Sequence, residues 1–194
     1  MMSTLGAMEA SESTEKLTAV LNGYKLEAED AITVVDKLVN ADLIAATSTE
    51  ELATAFQYSA AFANTAGVSI DKMIAMLTTA SETTRLSGET VGQAFKSIFS
   101  RLQNVKAGKN VDDEGESIND SEKTLKKYNI TLRESSTEFR NMEDVLDEVG
   151  RRWQEFDSVE KAQIATAISG KVYARTYGNI WETSNMVSRI ALNR

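Results

Sequence analysis

Residues 67–106 read GVSIDKMIAMLTTASETTRLSGETVGQAFKSIFSRLQNVK. Ser69 precedes Ile70, Met73, Ile74 and Leu77, the i, i+3, i+4, i+7 spacing of one helical face. Ser87 precedes Val91, Ala94, Phe95, Ile98, Leu102 and Val105, a stripe lasting about four turns. Each serine stands where a side-chain oxygen can satisfy one of the orphan N–H groups of a helix start. The stretch therefore predicts two consecutive amphipathic helices.

Upstream, the same pattern repeats. Thr14–Leu21 predicts a first helix with Asn22-Gly23 as its C-cap. Glu27 to Ala46 places Ala31, Val34, Val35 and Leu38 on one face, with Glu27, Glu29 and Asp30 in a first turn where the helix dipole favours acids. Ser48 to Glu51 is a capping-box pattern. It opens a helix with Leu52, Phe56, Ala60 and Ala63 inward, closed by Gly67.

Downstream, residues 107–121 (AGKNVDDEGESINDS) are polar and acidic and predict an exposed, protease-sensitive loop. A short Lys-rich helix over Glu122–Tyr128 follows. Ile130–Arg133 and Glu138–Arg140 then flank a turn, with Ile130, Leu132 and Phe139 able to share one side of a small hairpin. Met142, Val145, Leu146, Val149, Trp153 and Phe156 form one apolar stripe. Ser158 is read as the cap of a helix carrying Ala162, Ala165 and Ile168 as far as Gly170, and a last helix carries Tyr173, Tyr177, Ile180 and Trp181. The expected fold is mainly α, about eight amphipathic helices packed as antiparallel hairpins, with one small β-hairpin near residues 130–140. It divides into an N-terminal helical part (1–106), the acidic loop (107–121) and a C-terminal helical part with the hairpin (122–194).

Composition narrows the chemistry. The 194 residues include no Pro, Cys or His. Long helices are unobstructed, and disulfides, thiolate nucleophiles, Cys/His zinc sites and His-based triads are excluded. The net charge of −8 is concentrated at one end: residues 1–80 hold eleven acids and four bases. With a pI near 4.8, no specific nucleic-acid partner is expected. Lys123, Lys126 and Lys127 are offset by Glu122, and Arg151–Arg152 by Glu148 and Glu155, as on solvated helix faces. No run approaches the ~20 apolar residues of a membrane span.

No catalytic, cofactor-binding or metal site is predicted. Setting Gly115 at the sixth position of a calcium loop puts Asn110, Asp112, Glu114 and Glu116 at ligand positions, but Ser121 stands where the bidentate glutamate belongs. The carboxylate pairs Glu143/Asp144 and Asp147/Glu148 fall on the polar flank of their helix, so no hydrolase activity is expected. The serines at 48, 69, 87 and 158 are explained as caps, and Gly88 and Gly92 lack phosphate-loop spacing and its lysine. Trp153, Phe156, Tyr173, Tyr177 and Trp181 are read first as core. The alternative makes Tyr173, Tyr177 and Trp181 a partner-contact face.

Four phrases also carry a resemblance. TTRLSGETVGQAFKSIFSRLQNVKAG (83–108), TEELATAFQYSAAFANTAGVS (49–69), YNITLRESSTEFRNMEDVLDEVGRRW (128–153) and VEKAQIATAISGKVYARTYGNIWE (159–182) are similar to the core region of tail tape-measure proteins of long-tailed bacteriophages and prophages. The blocks follow that family's order and span roughly Leu26 to Glu182. The resemblance implies a virion structural protein of the tail, present in the host cytoplasm during assembly. Its implied partners are other copies of itself, tail-tube or tail-tip proteins and tail-assembly chaperones. The family is usually longer, with coiled-coil stretches and membrane-active segments that do not appear in this sequence, so the chain is read as one compact module of a longer protein. The second reading is a free-standing helical protein-binding module.

Overall fold

The computed structural model describes the backbone of residues 10–103 and 119–182, and the side chains of all of these except 10, 175, 176 and 179–182. The described residues form eight helices and a two-stranded antiparallel hairpin. In chain order these are α1 (Ala10–Tyr24), a 3-10 turn (Ala28–Asp30), α2 (Ala31–Ile44), α3 (Thr49–Thr65), α4 (Ile70–Thr84) and α5 (Gly88–Leu102). Then come α6 (Asp120–Lys126), β1 (Arg133–Ser135), β2 (Glu138–Phe139), α7 (Met142–Arg152), a second 3-10 turn (Trp153–Glu155) and α8 (Ser158–Glu182). The mainly helical expectation holds. The acidic segment and Val105 lie, for the most part, outside the described residues.

The expected caps are present at three helix starts. The hydroxyls of Ser48, Ser69 and Ser87 accept the N–H groups of Glu51, Lys72 and Thr90. Gly67 ends α3 at φ 77°, a conformation open to glycine without a Cβ clash. Four local details differ. First, α1 ends at Tyr24, with the left-handed residue at Lys25 (φ 55°) rather than at Gly23. Second, Glu51 does not complete its capping box; its carboxylate crosses to the N–H of Gly88, at the start of α5. Third, the residue capping α8 is Asp157, whose carboxylate accepts Val159 N–H and Glu160 N–H at 2.8 Å each, while Glu160 returns to Asp157 N–H at 3.0 Å. Ser158 is simply the first helical residue. Fourth, the strands sit later than Ile130–Arg133: Arg133 pairs with Phe139 and Ser135 with Glu138, while Ile130 and Leu132 precede the strand as buried core.

Helix α4 departs most from its expected amphipathic form. Every residue from Met73 to Ser81 is buried. Two of its polar members, Thr78 and Thr79, donate their hydroxyls to the carbonyls four residues back, Ile74 (2.8 Å) and Ala75 (2.9 Å), whereas the buried Ser81 hydroxyl has no hydrogen-bond partner. With the two threonine hydroxyls satisfied, neighbours can cover α4 on all sides: α2, α3, α5 and α8 all pack against it.

Helix α3 lies between α1 and α5, and both approach it through glycine. A Cβ on Gly23 would stand 2.7 Å from the Ala60 Cβ and 2.9 Å from the Ala61 nitrogen. On the other side, a Cβ on Gly88 or Gly92 would run into the backbone carbonyls of Glu51 or Ala55. The expected inward residues Leu52, Phe56, Ala60 and Ala63 are fully buried, and so are Ala55 and Ser59, because α3 has partners on two faces.

The C-terminal part packs through large side chains. Met142, Val145, Leu146 and Val149 are fully buried, as the stripe predicts. The helix itself stops at Arg152, and the chain tightens into the 3-10 turn that tucks Trp153 into the core at 1% exposure.

Candidate functional site

Helix α7 carries the acids weighed above as a catalytic pair. Three of the four are tied to neighbours. Glu143 accepts the Ser69 N–H at 2.9 Å, and Asp147 pairs with Lys72. Glu148 pairs with Arg140 at 2.8 Å and faces Arg152 at 3.6 Å. These carboxylates are half-buried rather than simply solvated. They act as clamps, fixing α7 to the first turn of α4 and to the hairpin's exit.

Helix α8 is broken at Gly170 (φ 75°, ψ 167°), where the sequence placed a helix end. Up to that point Ile164, Ala165, Ala167, Ile168 and Ser169 are buried. Beyond it the chain turns helical again and lays Tyr177 against α4 and α5. Tyr177 is 1% exposed and, with half-buried Tyr173, meets Ala80, Val91, Ala94, Phe95 and Ile98 around a small apolar cavity. Gly178 follows, facing the Trp153 indole, with 3.9 Å between a Cβ built there and the ring. In this fold Tyr177 serves as an internal anchor. The Trp181 side chain lies outside the described residues.

Apolar surface is present elsewhere. Val172 is 82% exposed and Leu43 78%; Ile32, Ile44 and Val159 are also largely exposed.

Two features carried no signal that local sequence reading could catch. Glu122, read as the offset of neighbouring lysines, is buried and pairs with Arg133 at 2.9 Å, and the Arg133 guanidinium lies over the Phe139 ring. The pair spans the joint between α6 and β1, so no helical spacing announces it. Tyr24 packs edge-on against Phe56 at 5.5 Å. Burial, reinforced by the Glu143 carboxylate, raises its phenol well above its ordinary range.

The acidic stretch, which lacks the glutamate a calcium loop needs, lies outside the described residues except at its end. There Ser121 is buried and donates its hydroxyl to the Ala167 carbonyl at 2.6 Å, so that position is committed to α8. Among the described residues no cluster of three acidic side chains is placed to hold a metal ion. None of the described helices is long and apolar enough to cross a membrane.

No solved structure matches this fold significantly. The sequence profile of the phage-related minor tail proteins, in contrast, matches residues 1–170. That stretch takes in every helix from α1 to α7 and the first half of α8. The chain belongs to the phage-related minor tail protein family.

Proposed function

We propose that this chain is a globular module of a tail tape-measure protein, acting in tail assembly, tail length determination and DNA delivery. The observation that supports it is the ordered run of four tape-measure-like blocks inside a chain matched over residues 1–170 by a phage tail family. A ruler mechanism converts helix length to distance at ~1.5 Å per residue. As one unbroken helix, 194 residues would reach ~290 Å. The caps and glycine contacts favour a compact unit, so this module contributes a folded station on a longer ruler rather than length itself. Its role is structural, with no reaction assigned. Its partners are other copies of the protein, tail-tube or tail-tip proteins and assembly chaperones, in the host cytoplasm and then in the virion tail.

The free-standing binding module has less support, because Tyr177 is spent on internal packing. An in-frame deletion of residues 10–182 in the encoding phage separates the readings. Tails that fail to form, or form with altered length under negative-stain microscopy, are expected. Infectious tails of normal length would overturn the proposal.

A further inference from the structure

Helix α8 consists of two helical halves that meet at a kink at Gly170. Its first half, Ser158–Ser169, is capped reciprocally by Asp157 and Glu160 and buries a continuous face. Ser169, the last residue of that half, donates its hydroxyl to the Ala165 carbonyl at 2.7 Å. At Gly170 the backbone leaves the helical region for a conformation that side-chain-bearing residues rarely adopt. The Arg101 guanidinium lies directly over it, 3.4 Å from where a Cβ would stand.

The second half is held differently. Lys171 is exposed, Val172 is 82% exposed, and Tyr173 and Ala174 are only half-buried. Among the side chains described beyond Gly170, Tyr177 alone is fully buried. It borders a cavity of only about 10 Å³ lined by Val91, Ala94, Phe95 and Ile98. Among the described side chains at 171–174, 177 and 178, exposure at the start and a single deep anchor mark a stretch that can open below the cost of global unfolding.

We propose that residues 171–182 form a strap, hinged at Gly170 and latched by Tyr177, that lifts from the α4–α5 face as a unit while the rest of the bundle stays folded. Lifting uncovers Ala80, Val91, Ala94, Phe95 and Ile98, an apolar strip that the strap otherwise covers. This holds whether or not the chain is part of a tape measure.

Hydrogen exchange on the 194-residue chain, followed by peptide mass spectrometry across low urea, tests it. Amides of 171–182 should exchange ~10-fold or more faster than those of 158–169, with little urea dependence, as local openings do. Tyr177→Ala and Gly170→Ala should accelerate 171–182 further and raise binding of a hydrophobic dye, leaving 158–169 at the native rate. Tyr177→Phe, which keeps the ring, should stay near the native rate in both halves. Equal rates and equal urea dependence for the two halves in the native chain would overturn the strap. So would a Tyr177→Ala effect spread evenly over both. The native comparison decides even if a variant fails to fold.

Discussion

Around α3 the neighbouring helices approach through missing side chains, whereas around α7 they are held by large side chains and charge. Gly23 meets Ala60, and Gly88 and Gly92 meet the carbonyls of Glu51 and Ala55, so the fit there depends on nothing being added. At α7 the fit depends on nothing being removed: Met142, Leu146 and Trp153 fill volume, and Lys72 and Arg140 hold the acids. The two regions should therefore fail under opposite kinds of substitution.

The largest effect is expected at the filled end. Trp153→Ala should cost about 3–5 kcal/mol by leaving a large cavity under α8, seen as a lowered urea midpoint. A loss below about 1 kcal/mol would mean that the turn after α7 collapses around the gap, and that this region tolerates removal after all.

Gly92→Ala inverts the usual sign. In an ordinary helix interior this change stabilises by about 1 kcal/mol. Here the new methyl meets the Ala55 carbonyl, so a net loss of about 1–3 kcal/mol is expected from overpacking. A raised melting temperature would break the comparison at its tight end. Combined with Trp153→Ala, the losses should add within about 0.5 kcal/mol if the two regions are independent.

The smallest effect concerns the phenol that senses both regions. Tyr24 sits on α1, touches Phe56 of α3 and feels Glu143 of α7. Its folded-state titration lies above the ordinary value of 10.0. Below that value the proton stays on in both states; above it the unfolded chain ionises first, and stability falls as pH climbs. Tyr24→Phe should leave the urea midpoint nearly unchanged at neutral pH and flatten part of its decline between about pH 9 and about pH 11. An unchanged alkaline slope would remove Tyr24 from the link.

Helices were legible because period and caps are local properties. The stripe from Val91 to Leu102 and the serines at 48, 69 and 87 needed no knowledge of partners. What was not legible is set by contacts between distant residues. Gly23 reads as a cap because glycine is the usual helix terminator, yet its lack of a Cβ is used for helix approach. Glu51 reads as half of a capping box, but Gly88 N–H competes for the same carboxylate and wins. The face of α4 looked narrow because Thr78 and Thr79 are polar by type, and only their back-bonding shows that they can be buried. For the candidate site, the aromatic cluster was visible as a group, and Gly170 marked the break within it. The role of Tyr177 as an anchor required the groove on α4 and α5, which no single helix contains.

The clamps on α7 also bear on the order of events as the chain emerges and collapses. Glu51 reaches Gly88 across 37 positions, but Ser69 to Glu143 spans 74 and Lys72 to Asp147 spans 75. Closing a longer loop costs more entropy, though only as the logarithm of its length. Synthesis adds a stricter condition, since α7 does not exist until long after α3 and α5 have been made. The glycine-packed helices are all made before α7 and α8, and α4 waits with one side open until α8 arrives to cover it. A chaperone acting during that interval would meet Met73, Met76 and Leu77 before the finished protein hides them.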